Sequence, residues 1–451
     1  MPDIIEPRVL KGFRDYLPEA EIERSALTEI LQKVFRSFGF VPIDTPVLEY
    51  AEILLGKGGG ETDKQVYRFK DNGDRDVAMR FDLTVPFARF MAEHVDELYL
   101  PFRRYHMAKV WRAENTQRGR YREFMQCDFD IVGSDSAMAD SDIVLLIRDA
   151  FEALGVGGFQ IRINHRGLFN RFLAKLGIEE QSAFVLRSVD KKDKLEEAAL
   201  LPLLEEAIGR EKALLVLDFI KPADSFLETL AKLEKLAGGP GADSQRLREI
   251  HEAFIASGIA LAWNDAAVGN ARSEGETLVL DPGITRGLDY YTGVVFETRL
   301  DAMPEIGSVC GGGRYDELAS LYTNKKLPGV GAAIGLDRLL TALETLGKTS
   351  GRVSYSDVLV LFIEDEFGSK YQQLASLLRR MGLVAEVYPE KRKLGQQFAY
   401  AEKKGIPFAL ILGSSEDERG VLSVKDLGSR ETFEVANISA VAESIRERLG
   451  R

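Results

Sequence analysis

A chain of 451 residues is longer than one core sustains and points to two or three domains. With 45% apolar and 29% charged residues it has the make-up of a soluble globular protein, and no apolar run approaches the roughly 18 residues of a membrane span. A net charge of −12 argues against indiscriminate nucleic-acid binding, although a local basic patch is enough to hold one.

Two cysteines, Cys127 and Cys310, without CxxC spacing argue against a disulfide framework or a zinc site, as do four scattered histidines (His94, His106, His165, His251). The N-terminal MPDIIEPRVLKGFRD has no apolar signal core, so a cytoplasmic location is expected.

In chain order, residues 23–38 carry apolar side chains at 27, 30, 31, 34, 35 and 38, which is helical spacing. "GFVPIDTPVLEY" follows, a glycine stop and then an extended run whose two prolines suit an edge or interface strand. Residues 75–84 and 102–112 read as strands, 120–132 alternate, and 139–154 read as a helix. From 168 to 258 one helix follows another, broken by "AGGPGAD", and the block reads as a helical insertion. Strand signals return with "LVLDPGITRGLDYYTGVVFETRL" and "PGVGAAIGLDRLL". Polar "GKTSGRVSYSD" then reads as a linker. Beyond it "DVLVLFI", "LVAEVYP" and "FALILG" alternate with helical "GSKYQQLASLLRRM" and "GQQFAYAEKKG", the pattern of a small α/β domain.

The stretch "WRAENTQRGRYREFMQCDFD" at 111–130 concentrates four arginines in an acidic chain. As a strand, its even face from 120 is Arg120, Arg122, Phe124, Gln126, Asp128 and Asp130; its odd face is mostly apolar. Taken alone this is an amphipathic strand with a solvated polar face, or the floor of a pocket. The pocket would take an anion at one end, a flat ring at Phe124 and a cationic group at Asp130. Arginine suits phosphate because its planar fork donates paired hydrogen bonds. "AENTQRG" (113–119) becomes a hairpin loop. "RGLDYYTG" (286–293), "CGGGRYDEL" (310–318) and "GVGAAIGLDRLL", with Arg338 in the first turn of a helix, are each individually a turn, a glycine-rich bend or a surface charge.

In this order, "KGFRDYLP", "FGFVPIDTPVLE", "RFDLT", "FRRYHMAKVWRAENTQRGRYREFMQCDFDIVG", "RGLDYYTG", "CGGGRYD" and "GVGAAIGLDRLL" resemble the class II aminoacyl-tRNA synthetases, and among them the histidyl-tRNA synthetase family. "RGRYREFMQCDFDI" resembles the archaeal and eukaryotic wording more than the common bacterial one. The resemblance implies an α/β (α+β) architecture: an antiparallel-sheet catalytic core at 1–167 and 259–347, the insertion at 168–258, a linker at 348–356, and an anticodon-binding α/β domain at 357–451.

It also implies roles. Arg112 holds the ATP α-phosphate, with Arg286 opposite it and near the histidine, where other class II enzymes place a metal. Phe124 and Arg338 sandwich the adenine by stacking and cation–π contact. Arg120 lies toward the γ-phosphate, and Glu114 completes the ATP set. Asp82, Thr84, Gln126 and Asp130 hold the histidine amino and carboxylate ends, and Tyr290 and Tyr291 line the imidazole pocket. Mg²⁺ is expected on the ATP phosphates, with no protein-bound metal. Where many bacterial relatives carry RPEGT and a terminal glutamate, this chain has "RFDLT" and Asp130, which keeps the charge with a reach one methylene shorter.

The implied partners are tRNA-His at its acceptor end and anticodon, L-histidine, ATP and a second copy of the chain through the 39–49 stretch, with no membrane. The 113–119 loop and the insertion would face the acceptor arm, and "PEKRKLGQQFAYAEKKG" (389–405) the anticodon. The insertion is expected to clamp rather than edit, because a site that hydrogen-bonds imidazole already rejects analogues by about 10⁴–10⁵. Two rivals share the core resemblance. A regulatory subunit of ATP phosphoribosyltransferase lacks the last domain and relaxes the active-site arginines; a tRNA-sensing pseudo-synthetase sits beside a kinase, and no kinase motif is present.

Overall fold

The computed structural model describes residues 4–56, 65–190, 192, 197–258, 277–285 and 291–450. They form two compact units, residues 1–15 with 26–348, and residues 16–25 with 349–451.

The first helix, α1 (Pro18–Ser37), places Leu27, Leu31 and Phe35 on one buried stripe at four-residue spacing, and Gly39 at φ +77° ends it. Short β1 (Val41–Pro42), β2 (Leu48–Tyr50), α2 (Ala51–Leu55), β3 (Arg68–Lys70) and β4 (Asp76–Met79) follow, then α3 (Thr84–His94). The strand expected over 75–84 therefore stops at Met79, and Thr84 opens a helix instead. The long β5 (Phe102–Trp111) and β6 (Glu123–Val132) form an antiparallel hairpin, followed by α4 (Ala137–Ala153) and β7 (Phe159–His165).

The helical block comprises α5 (Arg166–Lys175), α6 (Ser182–Val189), α7 (Glu197–Ile208), α8 (Arg210–Phe219), α9 (Phe226–Ala237) and α10 (Ala242–Ser257). It belongs to the first compact unit. The rings of Phe169 and Phe172 stack on Phe219 at 5.0 and 4.2 Å, and Arg246 reaches Asp140 on α4 at 3.1 Å. The remaining strands are β8 (Leu278–Leu280), β9 (Val294–Leu300), β10 (Cys310–Arg314) and β11 (Gly329–Gly335), which runs into α11 (Leu336–Thr345).

Eight of these strands make one sheet in the order β1-β5-β6-β11-β10-β9-β7-β8, antiparallel except at its two edges. The strand alternation read from sequence holds from Glu123 onward. Phe129 on the odd face packs against Phe35 of α1 at 5.1 Å, which leaves the even face of β6 for a pocket. β1 lies at the edge of this sheet and β2 at the edge of the small sheet β2-β4-β3, as the prolines of the 39–49 stretch suggest.

The second unit carries β12 (Val358–Val360), α12 (Gly368–Arg380), β13 (Ala385–Val387), α13 (Leu394–Lys403), β14 (Phe408–Ile411), α14 (Ser414–Arg419), β15 (Leu422–Asp426), β16 (Thr432–Val435) and α15 (Ile438–Leu449). Its sheet runs β13-β12-β14-β15-β16, parallel among the first three strands and antiparallel thereafter. The alternating βα pattern gives the first three strands; the closing hairpin β15–β16 was not anticipated. Among the described residues no helix is long and apolar enough to cross a membrane.

Candidate active site

Twelve residues were expected to act together. Ten are described, and all ten line one pocket: Asp82, Thr84, Arg112, Glu114, Arg120, Phe124, Gln126, Asp130, Tyr291 and Arg338. Arg286 and Tyr290 lie outside the described residues. The pocket draws on segments more than two hundred positions apart because β11 lies directly beside β6 in the sheet and leads straight into α11.

One end is cationic. Arg112 follows β5; its Nε donates to the Phe81 carbonyl at 2.8 Å, and its guanidinium lies 5.2 Å from the centre of the Phe124 ring. In the hairpin loop, Gln117 and Arg120 pair through their backbones and Gly119 sits at φ +71°, a turn that puts Arg120 into the pocket 3.9 Å from the Glu114 carboxylate. Arg338, in the first turn of α11, donates to the Ser308 carbonyl. Arg122 departs from the expected row of arginines. The turn at 117–120 breaks the alternation, and Arg122 instead reaches the carbonyls of Glu114 and Lys11 at 3.2 and 3.4 Å.

The other end is acidic and buried. Asp82 accepts the Val85 N–H at 3.1 Å through Oδ1, while Oδ2 has no hydrogen-bond partner among the described residues. Burial raises its pKa against the opposing pull of the Val85 N–H, Arg112, the Thr84 N–H and Arg104. The Gln126 Oε1 is likewise buried without a partner. Asp130 accepts the Tyr315 hydroxyl through Oδ1 and has Oδ2 2.6 Å from Nη2 of Arg104. Burial lifts its pKa as well, with Arg104 and Tyr315 opposing.

Asp128, on the same strand face, is not among the residues lining the pocket. It is buried, and desolvation, with Asp130 and Asp82 adding, holds its pKa well above the carboxylate range despite Arg104.

The glycines of "CGGGR" and "GVG" make room for this end. A Cβ on Gly313 would lie 2.7 Å from the Tyr291 ring, and one on Gly331 would lie 2.0 Å from the Asp130 carboxylate. Tyr315 and Asp337 also line the pocket, and neither "CGGGRYD" nor "GVGAAIGLDRLL" marks them for a role in the sequence. Arg104 lies behind Asp130, and nothing in "FRRYHMAKVW" marks one arginine as buried.

Arg112, Arg120 and Arg338 gather around Phe124 on a mostly antiparallel sheet, with Asp82 and Asp130 buried beyond them, and that arrangement defines the class II aminoacyl-tRNA synthetases. The family model described as histidyl-tRNA synthetase matches residues 12–339, and one described as anticodon binding domain matches 357–448. The chain is 50% identical to the histidine–tRNA ligase of Treponema denticola over 99% of both chains, and 48% identical to that of Rhodopirellula baltica over 96% of both.

The solved histidyl-tRNA synthetase from Nostoc sp. PCC 7120 superposes with a TM-score of 0.86 at 33% identity, covering 99% of this chain and 100% of that one. A Bacillus halodurans protein described as an ATP phosphoribosyltransferase regulatory subunit/histidyl-tRNA synthetase shares the fold at a TM-score of 0.72 and 21% identity, covering 89% and 97%. The chain belongs to the histidyl-tRNA synthetase family. Its "RGRYREFMQCDFDI" wording thus occurs beside relatives that are bacterial.

Proposed function

We propose that this pocket activates L-histidine with ATP, giving histidyl-adenylate and pyrophosphate, and then passes histidine to the 3′-terminal adenosine of tRNA-His. Family membership makes the chain a histidine–tRNA ligase, and the observation that carries the site assignment is the convergence of all ten described residues on one cleft.

The first step brings two anions together, the histidine carboxylate and the α-phosphate. Its barrier is lowered by positioning and by positive charge, with no protein nucleophile. Arg112 is assigned to the α-phosphate with Arg286 opposite it, and Arg120 to the γ-phosphate end. Phe124 and Arg338 take the two faces of the adenine. Each charge-assisted hydrogen bond to phosphate contributes roughly 1.5–3 kcal/mol. Glu114 is the carboxylate that would stand beside a Mg²⁺ held by the ATP phosphates, where the ion would offset phosphate charge; no cluster of three metal-ligating side chains exists among the described residues.

The unpaired Asp82 Oδ2 and Gln126 Oε1 suit the three N–H donors of the histidine ammonium. Asp130 was expected with Asp82 and Gln126 at the amino and carboxylate ends, but it sits four residues along β6 from Gln126, beside Tyr315 and with Tyr291 at the same end, and we assign it instead to the imidazole N–H. In the second step a ribose hydroxyl of the tRNA attacks the adenylate carbonyl.

We assign tRNA contacts to the 113–119 loop, the 168–258 block as a non-editing clamp, and the domain at 357–451 after a linker at 348–356. The exposed Lys391 and Arg392, ahead of α13, face the anticodon in this reading. Dimerisation through the 39–49 edge is supported by exposed Leu48, with Tyr50 next to it, and the expected compartment is the cytoplasm. The test is ATP–pyrophosphate exchange. Exchange stimulated by histidine supports the reading, whereas its absence in the purified protein would leave a non-catalytic relative.

A further inference from the structure

We propose that Arg104 is a positioning residue for the histidine site: a buried guanidinium that acts through Asp130 to hold the carboxylate that reads the imidazole. The inference rests on the pocket being a histidine site.

Arg104 stands on β5 directly opposite Asp130 on β6. It is fully buried, does not line the pocket, and packs its guanidinium 4.0 Å over the ring of Phe87 on α3. Its Nη2 lies 2.6 Å from Asp130 Oδ2, yet Nε, Nη1 and Nη2 have no aligned hydrogen-bond acceptor among the described residues. The contact is therefore Coulombic. A guanidinium this deep is strongly unfavourable without matched negative charge, and the match here is specific. Asp130 and Asp128 face it from β6, and Asp82 from the turn before α3. The other titratable and charged groups around it are His106 on the same strand with Asp44 against it, Arg80 after β4, Arg112 at the end of β5, and Tyr315 and Tyr291 from the β9–β10 side.

With Tyr315 donating to one oxygen of Asp130 and Arg104 fixed against the other, the carboxylate is held on both sides. An imidazole N–H needs an ionised, oriented acceptor, and burial alone pushes Asp130 toward holding its proton, which Arg104 and Tyr315 oppose. Arg104 thus reaches the substrate only through Asp130. Its removal should weaken histidine without weakening ATP.

The experiment uses the full-length enzyme, with histidine-dependent ATP–pyrophosphate exchange of wild type, Arg104→Met, Arg104→Lys, Asp130→Asn and the double variant Arg104→Met/Asp130→Asn. Arg104→Met is expected to raise KM for histidine by roughly ten- to a hundredfold and to leave KM for ATP within about twofold. It should also move the histidine kcat/KM optimum to higher pH, because Asp130 now ionises later. Arg104→Lys, which keeps the charge, should recover most of the loss.

The double variant should be no worse than Asp130→Asn alone, since the effect runs through that carboxylate. This comparison also serves if the methionine single variant does not fold. A wild-type histidine KM and pH profile in Arg104→Met, equal losses for ATP and histidine, or additive losses in the double variant each overturn the proposal. A wild-type enzyme without histidine-stimulated exchange would instead overturn the functional reading itself.

Discussion

Asp337 accepts the backbone N–H of Met125 at 2.6 Å, across 212 positions of sequence. Met125 follows Phe124, and Asp337 precedes Arg338. One buried carboxylate therefore joins the two residues assigned to opposite faces of the adenine. Arg14 braces the same point, with Nη2 3.5 Å from Asp337 Oδ1 and Nη1 donating to the Tyr121 hydroxyl at 3.0 Å. The Gly12 carbonyl accepts the Arg122 N–H at 2.8 Å, so the "KGFRD" segment lies along the hairpin that carries residues assigned to ATP.

Replacing Asp337 with alanine removes the acceptor of the half-buried Met125 N–H, a loss of about 1 kcal/mol. We expect a several-fold higher KM for ATP in pyrophosphate exchange, a smaller change for histidine, and partial recovery in Asp337→Asn, which keeps an acceptor. Equal changes for the two substrates would assign Asp337 to general stability alone.

Gly331 is the sharpest steric test of the histidine end. A methyl group there would lie 2.0 Å from Asp130 Oδ1 and 2.6 Å from the Phe129 carbonyl, so the carboxylate must move. Gly331→Ala is expected to lower kcat/KM for histidine by about a hundredfold, the scale of an ångström-sized misplacement. KM for ATP should stay close to wild type. Normal histidine kinetics in this variant would show that Asp130 does not contact the substrate.

The legible parts of this site were those where one residue type at one spacing has one physical use. Alternation along β6 separated Phe124, Gln126 and Asp130 from the apolar face without any structure. The same rule failed at Arg122, because a four-residue turn with a left-handed Gly119 resets the face and sequence does not announce where a hairpin tightens. Arg104 and Asp337 were not legible because their roles depend on what the sheet sets opposite them. A strand's partners across the ladder are tertiary facts. For the same reason β15 and β16 were not anticipated, although they complete the second sheet.

The 39–49 edge offers a test of assembly. β2 is an edge strand with Leu48 44% and Tyr50 52% exposed, and an exposed apolar edge invites pairing. Leu48→Lys should shift the protein from dimer to monomer in sedimentation velocity at micromolar concentration. A wild-type protein that sediments as a monomer would remove this edge from the dimer assignment.

His165 gives a pH dependence whose sign follows from its geometry. Its Nδ1 accepts the Gly167 N–H at 3.0 Å, capping the first turn of α5, so the ring must be neutral there. Burial, helped by Arg246 and Arg314 and opposed by Asp243 and Asp316, pushes its pKa down to about 4 from an ordinary 6.5. A depressed histidine contributes fully above about pH 6.5. That contribution is lost as pH falls from 6.5 through 4, because the unfolded chain binds the proton that the folded one refuses. The loss is at most about 1.4 kcal/mol per pH unit.

His106, also lowered to about 4, runs the same way, whereas the raised pKa values of Asp82, Asp128, Asp130 and Asp140 run oppositely. The informative quantity is therefore the difference from His165→Asn, which keeps a capping oxygen and does not titrate. In urea unfolding, wild-type stability relative to this variant should fall steadily as pH drops from 6.5 toward 4. A pH-independent difference would mean that the ring is already protonated in the fold, or is not buried as described.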